Sequence, residues 1–204
     1  MYLGLCSSGY SLAFFTPTIL SQLGWTAVRA QVMSIPIYLV ACVFIMLTAF
    51  LSDRVKHRFT FIFVGIVVAS IGYAILLAQR HVSVGVRYFS LYLVMVGGYM
   101  GQPLTIIWLA NNTRGHWQRS VSTAMQIGLG NVGGIVASNI FIGKEAPGYK
   151  TGFGVSLGLL WLVAFAAVVT VVGIWWENKR MERGNTDQRN EREKTGSKSI
   201  RFTY

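Results

Sequence analysis

Six apolar runs of about twenty residues, parted by short cationic links, leave this chain few ways to fold. The runs cover about residues 1–23, 31–51, 59–78, 88–110, 120–142 and 153–176. Between the second and third lies Leu51–Arg58, read as L-S-D-R-V-K-H-R, the first strongly charged island in the chain. Such a link cannot sit in hydrocarbon, and short Lys/Arg-rich loops favour the cytosol. Charged residues make up 12% of the chain and hydrophobic ones 53%, whereas soluble domains carry about 25% charge. The expectation is an all-α membrane protein with six transmembrane helices over residues 1–176. The tail, 177–204, mixes both charge signs without apolar periodicity and is expected to be cytosolic, basic and disordered.

Six spans place alternate links on alternate sides. Of the 18 Lys and Arg, 13 fall on the side of the island and 5 on the other. The positive-inside rule therefore sends the island, the link Asn111–Arg119 and the carboxyl end to the cytosol. The formal charge of +11 is divided among links rather than gathered on one face. It fits anionic lipid headgroups and excludes nucleic acid as the natural partner. Cys6 and Cys42 sit inside apolar runs and read as small hydrophobes, not as a disulfide or a metal pair.

Enzyme chemistry finds no foothold. His57, His81 and His116 lie in three different links, and no carboxylate lies inside a span. A paired acid and base, a nucleophile with its base, or a metal-ligand set is missing, and no cofactor is implied. Transport is better served. A solute path needs polar groups on helices that bend or pack closely. The first span carries Tyr10, Phe14 and Pro17; the fourth carries Gln102, Pro103 and Trp108; the fifth carries Gln126 and Asn131 among its glycines. Amides both donate and accept, so they hold a solute without taking a charge into the bilayer. Tyr10, Phe14, Gln102, Trp108, Gln126 and Asn131 are thus the candidate cavity-lining, substrate-binding residues. The plainer alternative is that such groups only bridge helices. The third span is almost wholly aliphatic and suits lipid contact or scaffolding. The pairs Gly97/Gly101, Gly130/Gly134 and Gly154/Gly158 allow close backbone approach between helices.

Several stretches carry a resemblance. Six spans with an Asp-Arg link after the second resemble the carboxyl-terminal half of a major facilitator superfamily transporter. That superfamily's loop motif, G-x-x-x-D-R-x-G-R-R, is matched in part by Ala49, Asp53, Arg54, Lys56, His57 and Arg58. More narrowly, F-F-T-P-T-I-L (Phe14–Leu20), S-I-P-I-Y (Ser34–Tyr38), W-L-A-N-N-T-R-G-H-W-Q-R (Trp108–Arg119) and G-L-G-N-V-G-G-I-V-A-S-N-I-F (Gly128–Phe141) look like fungal anion:cation symporters of the allantoate and nicotinate permease kind. The resemblance implies a gating role for Asp53, Arg54 and Arg58. It implies proton-coupled symport of a small organic anion or related metabolite, in the plasma membrane or, as an alternative, the vacuolar one. Such transporters have twelve spans, so an amino-terminal six-helix half is the expected partner, and the chain reads as a fragment, a truncated gene product or a half-transporter. The alternative is a non-transporting membrane protein that acts only as partner or regulator of a full-length permease.

Overall fold

The computed structural model describes residues 1–22, 24–55, 57–78, 82–113, 115–140 and 149–192, without the side chains of Gln22 and of 181–192. These residues form seven helices: α1 (Tyr2–Gln22), α2 (Ala27–Val55), α3 (Arg58–Leu77), α4 (Val84–Asn112), α5 (His116–Asn131), α6 (Gly133–Ile140) and α7 (Lys150–Arg192). Lys56, Arg80, His81, Arg114, Lys144, Glu145 and Pro147, singled out in the sequence, lie outside the described residues. Five of the helices, α1 to α4 and α7, are long and apolar enough to cross a membrane.

The expected fifth span is the exception. It folds as two pieces, α5 and α6, that meet at Val132. Gly130, Gly133 and Gly134 crowd this point, and glycine weakens a helix interior. The early turns of α5 hold His116, Gln118, Arg119 and Ser120, so the piece is amphipathic rather than uniformly apolar. The other boundaries also shift. Asp53 and Arg54 belong to the last turn of α2 and Arg58 opens α3, which turns the charged island into a tight corner. Arg54 there complements the carbonyl end of α2. α7 continues past Trp176 and is helical to Arg192, and the rest of the expected tail lies outside the described residues.

α1 is the central helix and packs against α2, α4, α5, α6 and α7. Small residues make that centrality possible: Ser7, Ser8, Ser11 and Thr16 are fully buried beside Leu5, Leu12 and Leu20. The Ser8 and Tyr73 hydroxyls share a buried hydrogen bond of 2.9 Å that joins α1 to α3. α3 and α4 form the most intimate pair. A methyl group placed on Gly97 would collide with the Gly65 carbonyl and stand 2.6 Å from the Ala69 nitrogen. The two backbones therefore touch directly, as glycine allows. α3 is thus scaffolding on one face, with Ile62, Ile66, Ala69, Tyr73 and Leu76 buried, while Phe63, Val64, Val67 and Ile71 remain exposed on the other. α2 and α7 bury the least of the five, and they show Leu39, Met46, Phe50, Leu162, Phe165 and Trp176 outward, as lipid-facing helices do.

Candidate functional site

Polar side chains inside an apolar bundle must find partners or water, because an unmatched polar group in hydrocarbon costs several kcal/mol. Three tyrosines of α4 find backbone carbonyls or each other. The Tyr88 hydroxyl donates to the Met33 carbonyl at 3.0 Å, three residues before Pro36, which lacks an N–H and loosens α2 at that point. Tyr88 and Tyr92 share a contact of 2.9 Å between hydroxyls, and Trp25 meets the Tyr88 ring edge-on at 5.5 Å. Tyr99 donates to the Gly9 carbonyl at 3.3 Å. Sequence reasoning passed over these tyrosines. The signal was present, since a tyrosine well inside a span must place its O–H somewhere.

Gln102 belongs to the same class. Its Nε2 donates to the Leu5 carbonyl at 3.2 Å, so with Tyr99 it straps α4 to α1 at two carbonyls four residues apart. Trp108 is 2% exposed and forms part of the hydrophobic core. Gln102 is half-buried and Trp108 buried, and both contact the rest of the bundle.

The remaining four cavity candidates lie on α1 and α5. The Tyr10 hydroxyl donates to Asn131 Oδ1 at 2.8 Å. Tyr10 and Phe14, one turn apart, stack with ring centres 6.1 Å apart and planes 16° from parallel, and Phe14 is 54% exposed. Asn131 is exposed. α1 reaches this region because α5 and α6 offer glycine where it passes. Gly130 lies against the Tyr2 ring, and a methyl on Gly133 would stand 2.8 Å from the Leu3 carbonyl. Gln126, on α5, keeps a buried Oε1 with no hydrogen-bond partner among the described residues. The outcome is an open seam with a phenol, an aromatic wall and an amide. It carries no formal charge, so it can hold a solute through hydrogen bonds and stacking.

The charged corner forms a second cluster. Arg58 Nη2 meets Asp53 Oδ1 at 3.0 Å; the Arg58 side chain is 11% exposed and that of Asp53 66%. Arg58 Nη1 and the neighbouring Ser52 Oγ are both buried without a hydrogen-bond partner among the described residues. Arg54 does not join the pair; its guanidinium lies over the Phe50 ring at 4.9 Å, a cation–π contact.

Comparison with known proteins bears on this geometry. The chain is 34% identical, over 82% of its length, to the high-affinity nicotinic acid transporter of Saccharomyces cerevisiae. It is 32% identical over 85% of its length to an uncharacterized transporter of Schizosaccharomyces pombe, and 36% identical over 87% to an MFS-type transporter of Penicillium expansum. It spans 31%, 34% and 35% of these relatives' own lengths, in their carboxyl-terminal portions. No protein-family model matches the chain, and no solved structure does.

Proposed function

Since the chain belongs to the major facilitator superfamily, whose members move solutes and are not enzymes, we propose that it acts as the carboxyl-terminal six-helix half of a permease for a small organic anion or related metabolite. α5 and α6 together make the broken fifth span of that half, and α7 makes the sixth. The observation that carries the reading is the uncharged Tyr10–Phe14–Asn131 seam, with Phe14 and Asn131 exposed, in a largely apolar bundle. Exposed amides facing lipid are costly, whereas the same groups facing a water-filled path are functional. The similarity to a nicotinic acid transporter over most of the chain supports an aromatic or carboxylic solute.

In this reading an amino-terminal half covers the seam, because transporter sites lie between paired repeats near the bilayer midplane. Protons drive the uptake, the protein resides in the plasma membrane, and the carboxyl end faces the cytosol. The Asp53–Arg58 pair at the α2–α3 corner is the gating contact of this half. Uptake of labelled nicotinate by yeast expressing the chain alone, or together with an amino-terminal half, tests the proposal. Uptake that needs the amino-terminal half supports the half-permease. Uptake in neither case, with the chain verified in the membrane, overturns it and leaves the reading as a non-transporting partner. Gln126→Ala and Asn131→Ala are expected to reduce uptake at least tenfold at unchanged membrane abundance, about the effect of removing one hydrogen bond to a charged group.

A further inference from the structure

Resting on the seam as a solute site, we infer that Tyr10 is a positioning residue that fixes which way the Asn131 amide faces and so makes the site select hydrogen-bond-accepting ligands. An asparagine amide has an accepting end and a donating end, and alone it can present either. Here the accepting end is occupied, because Tyr10 donates to Oδ1 at 2.8 Å. A phenol can also accept from Nδ2, so the orientation holds while Tyr10 spends its proton on Oδ1, which requires its hydroxyl to be kept in reach by the placement of the ring. Two contacts fix it. Phe14 stacks on one side at 6.1 Å, and the Cβ position of Gly134, in the first turn of α6, lies 3.4 Å from the Tyr10 ring.

The donating end of Asn131 then faces the open seam with no partner among the described residues. A neighbouring amide shows the contrast. Asn139 Nδ2 donates to the Ile135 carbonyl at 2.8 Å, which leaves that amide's donors turned onto its own helix. Asn131 also closes α5, immediately before the break at Val132, so the Tyr10 bond ties α1 to the point where the span changes direction. Two outward N–H groups with no fixed positive charge suit a carboxylate or a ring nitrogen. A carboxamide offers them one neutral accepting oxygen where a carboxylate offers two charged ones, so it is held more weakly. The selectivity therefore comes from an orientation, and it fails when the amide is free to turn.

Two measurements on the whole chain in lipid nanodiscs test this. The first needs no ligand. With asparagine labelled in 15N, Tyr10→Phe keeps the ring stack and removes the hydroxyl. It is expected to shift the Asn131 side-chain amide signals and speed their exchange with water, while the Asn139 signals stay in place. Unchanged Asn131 signals overturn the inference. The second measures binding of nicotinate and nicotinamide, which differ only in carboxylate against carboxamide. The native chain is expected to favour the acid. Tyr10→Phe should lower that preference about fivefold, the size of one lost neutral hydrogen bond. Asn131→Asp, which keeps an acceptor for Tyr10 but removes both donors, should abolish it. Equal preference in all three proteins overturns the selectivity. Binding of neither ligand by the native chain, alone or joined to an amino-terminal half, overturns the selectivity and the solute-site reading together, and the first measurement still decides whether Tyr10 positions the amide.

Discussion

At the residue scale, a hydrogen atom or a methyl group decides much of this molecule. Gly97→Ala places a methyl against the Gly65 carbonyl and the Ala69 nitrogen, and both are backbone atoms that cannot swing aside. It is expected to cost about 2 kcal/mol or more, read as a lowered midpoint of unfolding in mixed micelles. Gly158→Ala has open space around its Cβ and should leave that midpoint unchanged or slightly raised. The charged corner gives a second expectation. Asp53→Asn strips the carboxylate from an almost buried Arg58 that already has one unpaired nitrogen. A loss of about 1–2 kcal/mol should follow, with Arg54→Gln milder because that residue is exposed and lies over the Phe50 ring. The sequence made Asp53, Arg54 and Arg58 look alike as gating residues. It could not reveal that one guanidinium turns inward and the other lies on a phenylalanine, since that depends on how the corner between α2 and α3 is wound. Trp108 shows the same limit from the other side, for an indole in a span is compatible with a cavity wall or a core, and neighbours decide.

At the element scale, hydropathy located α1 to α4 and α7 to within a few residues at most ends, because a run of about twenty apolar residues has one use. It did not foresee the division of the fifth span. The stretch Gly128–Gly134 was plain as a glycine cluster, yet glycine serves close packing and helix breaking alike, and here it does both. Tyr2, Leu3 and Tyr10 of α1 press against it. Straps from α4 set another expectation. Tyr99 and Gln102 hold the α1 carbonyls of Gly9 and Leu5, so Tyr99→Phe with Gln102→Leu should destabilise the bundle by about 1–2 kcal/mol in total. The two changes should add within about 0.5 kcal/mol if the straps act independently. A double-mutant cycle followed by unfolding in micelles measures this.

At the scale of the whole molecule, the distribution of side chains is that of a multi-pass membrane protein, and relatives named as transporters agree with it. The expected sidedness can be checked directly. With Cys6 and Cys42 replaced by alanine, Ser83→Cys should react with an impermeant maleimide added outside intact cells, and His116→Cys only after the membrane is opened. Asn111, within the N-N-T sequon, should carry no glycan, because the positive-inside rule puts it in the cytosol. A glycan there, or the opposite labelling pattern, reverses the topology. The helical class was legible in the sequence because lipid admits only helices or closed barrels, and apolar runs of about twenty residues fit the former. The seam was legible only as a set of residue types, and which of them face one another followed from packing that no periodicity encodes.

The direct backbone contact between α3 and α4 bears on how the chain is born. These helices are consecutive, so their hairpin has everything it needs as soon as Asn112 leaves the ribosome. α1, although it precedes them in the chain, must wait for α5, α6 and α7 before its serine-lined faces are covered. A nascent chain halted after α4 should therefore already join cysteines placed at Gly72 and Val94 by oxidation, while cysteines at Leu3 and Gly133 should join only once α6 has emerged. α1 would then settle after the α3–α4 hairpin that follows it in the chain, once its later neighbours arrive.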